Sequence, residues 1–189
     1  VQSPCAIKFA LGENPKNTYN DRDETPVTRM AVAAIIRDQL TKARRYRDDL
    51  AEYERLKGTD DEVSLPDYDA KCEAMLPLFD KEHPLKAHFH VHRADDIFTA
   101  IRLAKEFSLD YVLIHCTDGA VIADELAEDS PAVVMGPLFG DRGKPELHNR
   151  NRNGCGYLRL DNENNERGGG EHCHEGELFV LSHLYCPPV

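Results

Sequence analysis

Apolar residues in the first 150 positions fall into short runs, separated by polar segments and by segments of helical periodicity. Four of these runs are rich in aliphatic and β-branched residues, which is typical of buried strands. The predicted strands are Ala6–Leu11, Leu85–Val91, Tyr111–Cys116 and Ala132–Gly136.

Apolar residues between these runs recur at steps of three and four, which predicts amphipathic helices. The longest helix begins after Thr28, a suitable N-cap, and ends near Gly58. Shorter helices are predicted at Tyr68–Asp80, Ala94–Phe107 and Ala120–Glu128. Strands that alternate with helices predict parallel βαβ units. Two α/β architectures fit them: an open doubly wound sheet, or an arc of a (β/α)8 barrel.

The composition changes after residue 150, where the sequence becomes rich in Asn, Gly and Glu. This predicts an α/β segment over residues 1–150 and an irregular C-terminal extension over residues 151–189. A structural zinc site is the alternative for the extension, because zinc sites of that kind use four Cys or His donors. The extension offers such a set in Cys155, Cys173, His174 and Cys186.

The charge balance excludes two classes of partner. The chain has 34 acidic and 23 basic residues, a net charge of −11, which argues against nucleic acid and against an anionic membrane surface. No apolar stretch reaches the roughly 18–20 residues of a membrane span. Six cysteines are too sparse for a disulfide scaffold. Cys5, Cys72 and Cys116 lie in apolar or helical patterns typical of buried thiols, so we expect a reduced, cytoplasmic protein.

Histidines lie near the carboxyl ends of two predicted strands, where parallel α/β proteins gather their active residues. His88, His90 and His92 alternate along one strand and therefore share a face. His115 lies at the end of the next strand. Neutral imidazoles that converge from adjacent strands suit zinc and related divalent ions. The alternative for each residue is an ordinary hydrogen-bonded histidine.

Two further residues are candidate ligands. Lys8 lies within a predicted buried strand, where a lysine requires a partner or a covalent modification. Glu13 follows the same strand, and its alternative is an ordinary loop carboxylate. The sequence assigns no catalytic residue.

Five motifs occur in order over about residues 5–150: AIKFALGENPK, TPVTRMAVAA, PLKAHFHVHRADDIFTAIRLAKEF, YVLIHCTDGAVIADELAE and VVMGPLFGDRGKPELHN. Together they resemble the metal-dependent amidohydrolases related to imidazolonepropionase. The resemblance implies a (β/α)8 TIM-type barrel, of which this chain supplies strands four to seven. It also implies hydrolysis of an amide or cyclic amide C–N bond in a small molecule, with one or two divalent metal ions, zinc above all, activating a water.

The same resemblance assigns metal ligands. The fifth-strand ligand is His90 if HRADDI is aligned and His88 if PLKAH is aligned, and the sixth-strand ligand is His115. Lys8 lies where related prolidase-like enzymes carry a carboxylated lysine that bridges two metals, and Glu13 is the other bridging candidate. The His-x-His of the family's first strand and the Asp of its eighth have no counterpart, which implies an incomplete piece of the enzyme.

Two functions of different classes follow from these observations. The first is a portion of a metal-dependent amidohydrolase. The second is a non-catalytic α/β domain that binds a ligand or oligomerises. In either case, an arc of four strands leaves its edge strands uncovered, which favours a homo-oligomer.

Overall fold

The computed structural model describes residues 4–58, 63–136 and 144–147. Four strands form one sheet in chain order, and every neighbouring pair is parallel. The strands are β1 (Ala6–Ala10), β2 (Lys86–Val91), β3 (Tyr111–His115) and β4 (Ala132–Met135). The predicted parallel α/β arrangement is confirmed. The predicted extension over residues 151–189, with its alternative zinc donors, lies outside the described residues.

Helices connect the strands. They are α1 (Glu13–Asn20), α2 (Arg29–Leu56), α3 (Ala70–Met75), α4 (Ala94–Phe107) and α5 (Ala123–Asp129), with 3₁₀ turns at Leu76–Phe79 and Pro145–Leu147. The side chain of Thr28 caps α2 as predicted, accepting a hydrogen bond from the Ala31 amide at 3.1 Å. The bounds of α4 match the prediction. No helix in the described part of the chain is long and apolar enough to cross a membrane.

Three helices differ from the prediction, and one of them, α5, differs only in its bounds, since it begins at Ala123 rather than Ala120. The segment expected to be helical over Tyr68–Asp80 is α-helical only to Met75 and continues as a 3₁₀ turn that contains Pro77. Proline lacks an amide hydrogen and clashes with the preceding turn of an α-helix, which accounts for the change. Helix α1 was not predicted, because its sequence, ENPKNTYN, has no apolar stripe.

One face of the sheet forms the core. Phe9, Phe89, Leu113 and Val133 lie side by side across the four strands, and all are buried. The rings of Phe9 and Phe89 stack with their centroids 5.1 Å apart. Helix α4 packs against the two central strands and buries its apolar stripe in the same core. This packing holds the four strands in register, so that their carboxyl ends lie at the same edge of the sheet.

The other face of the sheet carries the polar candidates. Lys8 lies beside His88, and Ala10 lies beside His90, which in turn lies beside Ile114 on β3. Lys8 is exposed in this structure, so the expectation that it is buried is wrong. The histidines of β2 thus lie on the face opposite the core, with His90 nearest the carboxyl end.

The described cysteines differ in their surroundings. Cys72 and Cys116 are buried as predicted, but Cys5 is exposed, because it precedes β1 rather than contributing to the core. Burial, together with the negative charge of Asp118, raises the pKa of the Cys116 thiol to about 12. Cys116 is fully buried within the hydrophobic core, where a thiol behaves as a small apolar side chain.

Candidate metal centre

Three imidazoles converge at the carboxyl ends of β2 and β3. One potential ligand nitrogen from each of His90, His92 and His115 lies within 4.8 Å of the other two. The centroid of the His90 ring is 4.8 Å from that of His92 and 4.6 Å from that of His115. His90 and His92 are buried and His115 is half-buried. This convergence of nitrogen donors is the arrangement that divalent transition metals require.

An unusual backbone conformation brings His115 into the cluster. His115 lies beside Val91 in the sheet register, whereas His90 lies beside Ile114. Side chains alternate along a regular strand, so His90 and His115 would point to opposite faces. However, His115 has a φ of 74° and Cys116 a φ of 48°. Such angles are uncommon for residues other than glycine, and they concentrate at functional sites. They end the alternation and place the His115 ring against that of His90.

Hydrogen bonds orient two of the rings. Nδ1 of His115 donates to the carbonyl oxygen of Gly136, and because a carbonyl only accepts, Nε2 of His115 carries the free lone pair. Nδ1 of His92 bonds to the Thr117 hydroxyl at 2.7 Å. In metalloproteins the second ring nitrogen of a ligating histidine commonly makes such a bond, which fixes the ring and its tautomer.

The third ring is held in its neutral form. The amide nitrogen Nδ2 of Asn14 donates to Nε2 of His90 at 3.0 Å, and Lys144 donates to the amide oxygen of Asn14. Burial, together with the nearby charges of His115, Lys8 and Lys144, lowers the pKa of His90 to about 4. His90 is therefore uncharged at neutral pH, and a neutral imidazole is the form that binds a metal.

The other predicted ligands lie outside this three-histidine cluster. His88 lies on the same face of β2 as His90 but two residues earlier, and Lys8 lies beside it on β1. Glu13 begins α1, and its carboxylate bonds to Arg29 at 3.0 Å and to Lys16 at 3.2 Å rather than to an imidazole. Of the two alignments of the fifth strand, the one that selects His90 places that ligand beside His115.

Sequence reasoning did not select His92 as a ligand. His92 directly follows β2, and its ring stacks on that of His115 with centroids 4.9 Å apart. The signal that could have found it is the spacing of His88, His90 and His92, which placed all three on one face.

A fourth residue reaches the cluster from a distant part of the chain. The carboxylate of Glu146, within the GKPELHN motif, is fully buried. Its Oε2 accepts a hydrogen bond from the Glu13 amide at 2.8 Å, and its Oε1 lies 3.8 Å from Nε2 of His92. No sequence signal indicated this contact, because 133 positions separate Glu146 from Glu13.

A buried charge network supports Glu146. Arg29 lies 3.0 Å from carboxylate oxygens of both Glu13 and Asp96 and 3.7 Å from Oε2 of Glu146. Burial raises the pKa of Asp96 and of Glu146. Burial also opposes ionisation of Glu13, but the bonds from Lys16 and Arg29 outweigh it and lower the pKa of Glu13. Three buried carboxylates thus share one guanidinium, and one of them, Glu146, lies beside His92.

These features define a parallel α/β protein with an imidazole cluster suited to a divalent cation. No protein-family model matches the chain, and no curated protein matches it. Among solved structures, the chain is similar to an amidohydrolase from Thermotoga maritima MSB8, with 39% sequence identity and a TM-score of 0.71. The match covers 79% of this chain and 37% of that chain, so the chain spans little more than a third of that protein's length. The similarity supports the amidohydrolase family that the motifs predicted.

Proposed function

We propose that this chain forms part of a metal-dependent amidohydrolase that cleaves an amide or cyclic amide C–N bond in a small molecule. His90, His92 and His115 hold one divalent ion, for which zinc is the best match. The observation that carries the proposal is the convergence of three imidazole nitrogens within 4.8 Å at the carboxyl ends of two parallel strands. The relation to imidazolonepropionase and the cytoplasmic location, both expected from the sequence, remain part of this proposal.

The donor set fits such an ion. Zinc in catalytic sites is held by three protein ligands, often imidazoles, with a fourth position for water or substrate. His90 is neutral, and its Nε2 lone pair, which accepts a hydrogen bond from Asn14, would turn to the ion on binding. Nδ1 of His115 is bonded to a carbonyl oxygen, so Nε2 of His115 is the atom that would bind the ion, and the Thr117 hydroxyl orients the ring of His92 through Nδ1. The cluster is largely buried, and a dry site strengthens the interaction between the ion and its ligands.

Each part of the site has a role in the proposed reaction. A bound divalent ion polarises the scissile carbonyl and lowers the pKa of water from 15.7 to about 7. Thr117 and the Gly136 carbonyl hold two of the rings in their ligating orientation. The core beneath the sheet keeps the strand ends in register, so that the imidazoles stay converged.

We also propose that β1 to β4 correspond to strands four to seven of a (β/α)8 barrel. The support is that one face of the sheet is packed as a core while the other carries Lys8, His88 and His90, as expected if that face lines the barrel interior. In that setting, a carboxylated Lys8 and Glu13 are the proposed ligands of a second ion. The three-histidine cluster does not depend on that second ion.

Metal analysis of the purified chain tests the proposal. We expect about one zinc, manganese or iron per chain after expression in metal-supplemented medium, measured by inductively coupled plasma mass spectrometry. A chelator should abolish hydrolysis of a panel of amides and cyclic amides, and added zinc should restore it. A chain without stoichiometric metal would instead indicate the non-catalytic α/β domain. A metal-loaded chain inactive on the whole panel would retain the metal centre and overturn the hydrolase assignment.

A further inference from the structure

The two carboxylate oxygens of Glu146 have different surroundings. Oε2 accepts the hydrogen bond from the Glu13 amide and lies 3.7 Å from Arg29. Oε1 is fully buried, and no group among the described residues donates a hydrogen bond to it. Nε2 of His92 lies 3.8 Å from Oε1, which is too far for a hydrogen bond.

This arrangement is costly for folding. A buried polar atom without a hydrogen-bond partner costs about 1–3 kcal/mol, and more when it is charged. Buried orphan oxygens are rare in native proteins, and those that occur often mark an ion, a water or a catalytic role. The oxygen of Glu146 that lacks a donor is the one on the side of the histidine cluster.

The backbone at Gly12 leaves space for this carboxylate. Gly12 has a φ of 85°, and a Cβ atom at that position would lie 2.5 Å from Oε2 of Glu146. The absence of a side chain at Gly12 therefore lets Glu146 approach the Glu13 amide. Two segments that are distant in sequence thus fit together so that Oε1 lies beside His92.

On the basis of the metal centre proposed above, we propose that Glu146 supplies its oxygen ligand through Oε1. The ion would then have three imidazole ligands and one carboxylate, and the water or substrate of the proposed reaction would add as a fifth ligand, an expansion that catalytic zinc sites allow. Ligands at zinc distances of 2.0–2.2 Å in a tetrahedral site lie roughly 3.3–3.6 Å from one another. The 3.8 Å between Oε1 and Nε2 of His92 is only slightly longer, and the imidazole donors are themselves up to 4.8 Å apart. A carboxylate oxygen is a normal zinc ligand. Its negative charge partly offsets the positive charge of the ion, which neutral imidazoles do not offset.

Cobalt binding to the full chain tests this assignment. The probe is Co²⁺, and the variants are Glu146→Gln, of nearly equal shape, and Glu106→Gln. The second makes the same chemical change at an exposed carboxylate that pairs with Arg37, outside the network around Arg29. Loss of an outer-shell partner costs about 10–100-fold in metal affinity, so loss of a ligand in Glu146→Gln is expected to cost more than about 100-fold. The visible d–d absorption of bound Co²⁺ should also change. In Glu106→Gln the absorption and the affinity should stay as in the wild type.

The outcomes separate this assignment from the proposed function. If the wild-type chain binds no Co²⁺, the metal centre itself is wrong. If the wild-type chain binds Co²⁺ and Glu146→Gln binds it with the same spectrum, Glu146 is not a ligand, whatever the change in affinity. If Glu146→Gln does not fold, Glu146→Asp replaces it: its carboxylate is one methylene shorter, so a folded variant should bind more weakly with an altered spectrum. An unaltered spectrum in that variant would equally overturn the assignment.

Discussion

Replacing His115 with alanine is expected to remove stoichiometric metal binding while leaving the chain folded. The His115 ring contacts both other imidazoles, and it is the only member of the trio that β3 contributes. Without it, the two remaining imidazoles come from one short segment around the end of β2. We expect zinc affinity to fall by more than about 100-fold, because the loss of a hydrogen-bond partner of a ligand already costs about 10–100-fold. Competition with a chromophoric chelator measures the affinity, and far-UV circular dichroism reports the fold.

Two histidines provide matched controls for His115→Ala. His83 is exposed and precedes β2, at the end of the strand opposite the cluster, so His83→Ala should bind zinc like the wild type. His88→Ala resolves the two alignments of the fifth strand, and we expect it to retain binding because His88 lies outside the converged group. Zinc binding by His115→Ala at wild-type affinity would show that the ion is held elsewhere.

Replacing Gly12 with alanine is expected to destabilise the chain and weaken metal binding together. The backbone of Gly12, with φ 85° and ψ −147°, lies in a region that only glycine adopts readily. A residue forced into such a conformation loses about 1–3 kcal/mol of stability. The new Cβ would also displace Oε2 of Glu146 from the Glu13 amide. Urea denaturation measures the stability, and the cobalt titration measures the second effect.

Gly58 offers a control that separates backbone strain from the contact with Glu146. Gly58 also has a positive φ, 83°, but a Cβ atom there would meet nothing within 4 Å. Gly58→Ala should therefore lose stability through backbone strain alone and bind Co²⁺ like the wild type. If Gly12→Ala also binds Co²⁺ normally, the close approach of Glu146 to Gly12 does not serve the metal centre.

The sequence predicted the fold well where burial and periodicity agree. The bounds of α4 follow from an apolar stripe with Asp95 and Asp96 in its first turn, where carboxylates favour the positive end of the helix. The four strands lie within a residue of their predicted bounds. The polar segments on either side of each apolar run mark where the strand begins and ends. Where the apolar signal is weak, the prediction failed, as it did for α1.

The site was predicted only in part, because its geometry depends on features that alternation does not encode. Strand periodicity placed His90 at a strand end, but it gave no reason to prefer His92 to His88. The φ of 74° that turns His115 towards His90 is a property of the strand's end and not of its residue pattern. Glu146 reaches the cluster through contacts with the segment at Gly12 and Glu13, and such long-range packing leaves no local signature.

X-ray absorption at the zinc edge of the loaded chain tests the central claim most directly. Three imidazole nitrogens at 2.0–2.1 Å and one oxygen at 2.0–2.2 Å are expected, with the multiple scattering typical of imidazole rings. Sulfur at about 2.3 Å would place the ion on cysteines instead. That result, or a shell of oxygen atoms without imidazole scattering, would contradict a zinc site formed by His90, His92 and His115.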